Sequence, residues 1–458
     1  MVRWLLALLV GFVSASSLRA DEPVAVIEVP SPALADYVAK ADDSFGWTKR
    51  REGKIGGAEF VELTLTSQTW RGITWRHQLY IIKPASAANA HQALLFIGGG
   101  RWKDELAEPA KPDDGLPREA TLFALAAEQL KSPVAILLHV PQQPIFGGMV
   151  EDEIISHTFV EYYKTRDPEW PLLLPMVKSA VRAMDAVQQY AKQAWSLDIE
   201  QFTVAGASKR GWTTWLTSAT DPRVTALAPM VIDMLNMEPQ MEHQRFTFGG
   251  FSEQIQDYTS KGLQDMKGPK AQALRAIVDP YSYRAKLTQP KLIMLGTNDR
   301  YWPLDALNLY WNDLEGDKYI MYVPNKGHDL SDMPRVIGGL TALHRMNSGG
   351  PALPKLDWQI ETTDKGLTLD LGSDQTPAEV QVWKATAPTR DFREAKWEAT
   401  PVEAKDGRYH YEMPTPATGY AAMFGEARFP GESLPFYLST NLKIVGGDSS
   451  PAATTGAQ

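Results

Sequence analysis

The amino-acid sequence predicts an α/β fold: a doubly wound sheet with cap insertions over its edge, followed by a C-terminal antiparallel β-sandwich. Three observations point there. Apolar-rich runs of strand length recur at 93–97, 134–138, 202–205, 224–232, 291–295 and 318–323. Continuous apolar character suits strands covered on both faces, and stretches of helical spacing alternate with these runs, as a parallel sheet requires. From about Pro354 to Val445 the pattern changes to short alternating segments separated by turn residues, as in a small, Ig-like sandwich.

A chain of 458 residues is too long for one ordinary core, so two domains are expected, at 21–347 and 354–445, joined through Ser348-Gly349-Gly350-Pro351. Residues 1–20 have a basic start at Arg3, an apolar stretch from Trp4 to Val13, and then small residues. That is the pattern of a secretory signal, too short to span a bilayer, with cleavage expected after Ala15 or Ala20. No other stretch is apolar enough for a membrane span, so an exported, soluble protein is expected. The chain has no cysteine, which excludes disulfides, thiolate metal sites and a cysteine nucleophile and fits a bacterial periplasm or exterior. A net charge of −9 without any Lys/Arg-rich block argues against nucleic acid as a partner.

In chain order, Ser31–Lys40 has the spacing of a short helix, and Glu59–Thr66 and Trp75–Ile82 read as an opening β-meander. The run Ala93–Ile97 ends in Gly98-Gly99-Gly100, where backbone N–H groups can approach a ligand closely. Thr121–Leu130 is helical and Val134–Leu138 is a strand. The loop from His139 to Gly148 leads to Glu151-Asp152-Glu153 and helical spacing to about Lys164. The segment 141–171 is expected to lie over the sheet edge where ligands bind. A long helix follows from about Leu174 to Lys192. Residues 234–278, rich in Met, Gln and aromatic side chains and broken at Gly249-Gly250 and Gly268-Pro269, read as a second, mobile cap. A helix over 330–346 closes the domain, and 446–458 is a polar tail expected to be disordered.

The chemistry centres on Val204-Ala205-Gly206-Ala207-Ser208-Lys209-Arg210-Gly211-Trp212. A strand ends there and helical spacing begins, running to Asp221-Pro222. A sharp strand-to-helix turn at a serine is the nucleophile elbow of α/β-hydrolases. Gly206 and Ala207 supply the small neighbours that such a strained serine needs, and the helix start offers N–H groups to an oxyanion. The usual G-x-S-x-G spacing is not kept: Arg210 stands in the second glycine's place, with Gly211 one position later.

Ser208 is followed by Asp299 and then His328, each on a loop after a late strand, which is the serine–acid–histidine order of this fold. His328 would take the Ser208 proton and return it to the leaving group, and Asp299 would hold the imidazole tautomer. Asp233, at the end of an earlier strand, is the alternative acid. The Lys209 N–H and an N–H from Gly99 or Gly100 are the expected oxyanion donors. The Lys209 and Arg210 side chains either act on the oxyanion or an acidic substrate group, or pair with a carboxylate at the sheet edge. Glu151 and Asp152 either hold a substrate amine or sugar hydroxyls, or stabilise a helix start. His139, Gln142 and Trp302 are further candidate substrate contacts, and Trp102 and Trp170 with Trp302 would suit sugar stacking. No metal-ligand cluster or phosphate-loop motif stands out, so no metal and no cofactor are expected.

On Trp70-x-Gly72-x-x-Trp75-x-His77, Phe96–Gly100, Glu151-Asp152, Gly206–Trp212, Gly296–Asp299 and Gly327-His328, the chain resembles the PhoPQ-activated pathogenicity-related family of secreted bacterial proteins, over about Asp36 to Val445. The resemblance implies an α/β-hydrolase with a C-terminal β-sandwich, makes Arg210 a family trait, and implies no particular substrate. The elbow is also similar to those of glucuronoyl and acetyl-xylan esterases, over less of the chain. Together these readings predict an exported serine hydrolase, first an esterase, acting through an acyl-enzyme on a small-molecule or polymer-derived ester or amide. Two alternatives stand beside it: a prolyl-oligopeptidase-type peptidase whose residues 151–153 grip an N-terminal amine, and a catalytically silent fold that binds or signals outside the cell.

Overall fold

The computed structural model describes residues 30–87, 90–111, 114–116 and 120–447. The expected secretory signal, and the expected tail beyond residue 447, lie outside the described residues.

Helix α1 (Ala33–Ala39) leads into an antiparallel meander of β1 (Gly46–Ile55), β2 (Ala58–Trp70) and β3 (Ile73–Lys83). Its two tight turns place Gly56 and Gly72 at positive φ, where a Cβ would be strained. Six strands follow: β4 (Gln92–Ile97), β5 (Val134–Leu137), β6 (Gln201–Ala207), β7 (Val224–Met230), β8 (Lys291–Gly296) and β9 (Lys318–Val323). They are parallel, in the order β5-β4-β6-β7-β8-β9, and β3 joins them antiparallel at β5. β5 and β8 are buried along their whole length, which is why β5 reads as an unbroken apolar run and β8 as one after Lys291.

The helices are α2 (Ala120–Leu130), α3 (Glu151–Thr165), α4 (Leu173–Trp195), α5 (Lys209–Ser218), α6 (Met237–Phe248), α7 (Gln256–Thr259), α8 (Pro269–Val278) and α9 (Met333–Asn347). α4 buries Val177, Ala180, Met184 and Val187 against the core shared by β2, β6 and α5. Each such Val or Met side chain contributes roughly 1.5–3 kcal/mol, so this helix anchors the layer beneath the elbow.

The strand order reverses between β4 and β6. The chain goes from β4 to β5 on one side and then to β6 on the other, and loops leaving such a pair diverge to open a crevice. Ile97 is in register with Gly206, so Gly98-Gly99-Gly100 and Ser208 leave the sheet side by side.

The C-terminal region holds β10 (Leu356–Thr363), β11 (Gly366–Ser373), β12 (Glu379–Ala387), β13 (Glu398–Pro401), β14 (Ala404–Lys405), β15 (Arg408–Pro414), β16 (Tyr420–Phe429), β17 (Phe436–Ser439) and β18 (Lys443–Gly446). One antiparallel sheet, β10-β11-β15-β14, faces a second built on β12, β13, β16, β17 and β18. Leu367, Leu369 and Leu371 share a core with Val380, Val382 and Met423 across the gap. The second sheet is not free at its edge: β17 pairs with β9 at Ser439 and Ile320, so it continues the main sheet. Alternation along the sequence reveals a sandwich but cannot show this single bridging pair.

Candidate active site

Ser208 sits between β6 and α5 with φ 58° and ψ −131°, a conformation that costs a non-glycine residue energy unless its surroundings impose it. Its N–H donates to Met230 O at 2.9 Å. A Cβ on Gly206 would lie 2.6 Å from Arg210 O, and one on Gly211 would lie 2.7 Å from the Ile232 side chain and 2.9 Å from Gly206 O. Gly211 therefore allows the close approach of helix to strand, one position later than the usual spacing. That leaves position 210 open to a large side chain.

Arg210 uses it to tie three segments together. Its Nε donates to Val140 O at 2.6 Å and its Nη2 to Glu151 Oε1 at 2.7 Å. The guanidinium lies against Gly99, where a Cβ would be 2.6 Å from Nη2. Lys209 Nζ meets Glu151 Oε2 at 2.9 Å and Asp152 Oδ2 at 3.1 Å, with its side chain only 7% exposed. Gln143 completes the group, donating from Nε2 to Gly100 O at 2.9 Å and to Glu151 Oε1 at 2.6 Å. Burial alone would raise the Glu151 carboxyl; the hydrogen bond and charge of Arg210, the charge of Lys209 and the Gln143 amide outweigh it and bring it down to about 2. Of the alternatives open at the sequence, the cations and the acidic pair satisfy one another.

The loops carrying Asp299 and His328 leave neighbouring strands β8 and β9, where Gly296 is in register with Val323. A Cβ on Gly296 would stand 2.4 Å from Gly327 O, so only glycine lets the loops touch. His328 Nδ1–H donates to Asp299 Oδ2 at 2.8 Å, since a carboxylate can only accept. Asp299 Oδ1 accepts the Tyr301 N–H at 3.0 Å, and the Tyr301 ring stacks on the imidazole with centroids 4.2 Å apart. This leaves His328 Nε2 buried and without a hydrogen-bond partner. Asp233 is not bonded to His328; its Oδ1 accepts the Tyr310 hydroxyl at 2.7 Å. Burial pushes the Asp233 carboxyl up to about 7, opposed by the Tyr310 bond and helped by the charge of Asp299.

The sandwich reaches this site. Asn298 Nδ2 donates to Arg393 O at 3.1 Å and Ala395 O at 2.7 Å. Asn325 exchanges two hydrogen bonds with the Trp397 backbone, at 3.0 and 2.8 Å. The connection between β12 and β13 thus clamps both the Asp299 loop and the His328 loop.

Ser208 and His328 line one cavity of about 150 Å³, together with Lys209, Asp152, Tyr301 and Trp302. The remaining candidates are not on its wall. His139 Nε2 bonds Gln78 Oε1 at 2.9 Å and its ring lies under Gly100, where burial pushes its pKa down to about 4 and keeps it neutral. Gln142 Oε1 accepts the Arg76 N–H at 3.0 Å. Glu151 and Arg210 stand behind the elbow in the ion cluster, and Gly99 and Gly100 meet the elbow through Arg210. Trp102 packs edge-on against His139, and Trp170 lies 3.6 Å below the Arg71 guanidinium, so of the three tryptophans suggested for sugar stacking only Trp302 faces the cavity. Sequence reasoning missed Tyr301, Asn298, Asn325 and Tyr258, whose hydroxyl donates to Asp152 Oδ1 at 2.9 Å. Tyr301 alone had a signal, two places after Asp299. Among the described residues no helix is long and apolar enough to cross a membrane, and no group of three potential metal ligands converges.

The profile of the PhoPQ-activated pathogenicity-related proteins matches residues 34–393. The chain belongs to that family. The matched segment of this PhoPQ-activated pathogenicity-related protein takes in the elbow and both late loops, and ends inside the connection that clamps them. Autocrine proliferation repressor protein A of Dictyostelium discoideum is 31% identical over 441 residues, 88% of this chain and 87% of that protein. Two solved structures are similar in part. Acetyl xylan esterase 1 from Thermoanaerobacterium sp. JW/SL YS485 has a TM-score of 0.45 at 15% identity, over 66% of this chain and 90% of its own. A glucuronoyl esterase from Solibacter usitatus has a TM-score of 0.36 at 12% identity, over 66% of this chain and 88% of its own.

Proposed function

We propose that this protein is a serine hydrolase, an esterase, with Ser208 as nucleophile, His328 as general base and Asp299 as the acid that orients it. One observation carries the reading. A histidine held by a carboxylate at 2.8 Å keeps its second nitrogen buried and unpartnered on the same cavity as a serine in a strained elbow. No hydrogen bond joins His328 Nε2 to Ser208 here; such contacts commonly tighten only when substrate binds.

In this reading Ser208 Oγ attacks the carbonyl carbon as its proton passes to His328 Nε2. The alcohol leaves with that proton, and water, deprotonated by His328, then releases the acid and restores the serine. The N–H groups of Lys209 and of Gly99 or Gly100 receive the oxyanion, the glycine loop being held in place by Arg210 and Gln143. The pattern of residues 1–20 supports action outside the cytoplasm. Peptidase activity through an amine grip is disfavoured, because Glu151 and Asp152 are already occupied by Lys209, Arg210 and Tyr258.

A second reading, a secreted signalling protein that uses the fold without turnover, is favoured by the name of the Dictyostelium relative. A fluorophosphonate probe separates the two. The esterase reading expects labelling of the folded wild type and none of Ser208→Ala; equal absence of label on both folded proteins would leave only the signalling reading.

A further inference from the structure

We propose that the cavity beside Ser208 is the seat of a medium-length aliphatic acyl chain, so that the substrate is an ester of a fatty acid rather than of acetic acid or a sugar acid. This rests on the serine-hydrolase reading above and specifies what that serine acts on. The cap segment 234–278 supplies most of the cavity wall, and it does so with methionine: Met234, Met237, Met241 and Met266, alongside Leu274 and, next to the elbow, Ile232.

Three polar groups on the same wall are already partnered within the protein. Lys209 is held by Glu151 and Asp152, the Tyr258 hydroxyl by Asp152, and the Trp212 indole N–H by Val278 O at 2.5 Å. A sugar ring entering here would lose water from its hydroxyls and find these three groups already taken, which opposes binding. A hydrocarbon chain loses nothing and removes apolar wall from water. Glu238, Glu242 and Lys267, also bordering the cavity, are exposed, so charge gathers at the solvent side and the polar alcohol portion of the ester faces outward. Unbranched thioether side chains repack around differing shapes, so four methionines favour a range of chain lengths over a single one.

The test uses the purified full chain and p-nitrophenyl esters from acetate through butyrate, hexanoate and octanoate to laurate. Each methylene taken into an apolar site can raise kcat/KM by up to about fourfold. Octanoate should exceed acetate at least tenfold, and Met241→Trp, which narrows the wall from a partly exposed position, should cut that ratio severalfold. A series that is flat or falls from acetate onward, in an enzyme that turns over, overturns the acyl seat and leaves the hydrolase intact. Calorimetric titration of Ser208→Ala with sodium octanoate reads the cavity without catalysis. Saturable binding that Met241→Trp weakens supports the acyl seat even if no ester is hydrolysed, in which case the hydrolase reading alone falls. Absence of both binding and chain-length preference overturns the inference.

Discussion

Glu151→Gln tests the cluster behind the elbow most directly. In the wild type, Glu151 bonds Arg210 and Lys209 at 2.7 and 2.9 Å. The Arg210 and Lys209 side chains are 12% and 7% exposed, Glu151 is 35% exposed, and Asp152, still available to Lys209, is 16% exposed. Bringing the carboxyl from its ordinary 4.5 to about 2 corresponds to roughly 3 kcal/mol in the folded state. Solvent reaches a third of the side chain and Asp152 stays in place, so a loss of about 2 kcal/mol is expected. Because the folded carboxyl titrates below the unfolded one, its contribution is complete above pH 4.5 and fades as pH falls towards 2. Urea unfolding of wild type and Glu151→Gln at pH 7 should therefore differ by about 2 kcal/mol, and at pH 3 by clearly less. Equal stability at pH 7, or a difference that grows on acidification, would refute the account. Turnover should also fall, by roughly ten- to a hundredfold, because Arg210 would no longer hold the Gly99 loop to Ser208.

Asp299→Asn should lower kcat by about 10⁴-fold while leaving the melting curve nearly unchanged, since it disturbs the imidazole tautomer more than the packing. Asp233→Asn should have little effect on turnover. The wild-type carboxyl titrates near 7 when folded, above its ordinary 3.8, so wild-type stability declines between about pH 4 and 7. The variant should lack that decline and be the more stable protein at pH 8, as thermal unfolding across pH would show. Asn325→Ala removes both bonds to the Trp397 backbone and should cost about 2 kcal/mol. It should also reduce kcat more than it raises KM, because the His328 loop loses its clamp while the cavity wall is untouched; steady-state kinetics on an ester separates the two.

Features set by neighbours in the chain are legible in the amino-acid sequence alone. Unbroken apolar runs mark strands buried on both faces. The small residues around Ser208 follow from the turn it makes, and Asp299 and His328 stand after late strands because loops at those strand ends reach a common edge. The 234–278 segment can be recognised as methionine-rich, but not as the wall of a cavity. Three-dimensional packing settled which of two acids meets His328, that Arg210 and Lys209 pair with carboxylates 59 and 58 positions away, and that the sandwich extends the main sheet to clamp the site. Such pairings are between groups that are interchangeable in the sequence. Charge and size permit several partners for each, and only the register of distant strands and the rotamers they allow selects one.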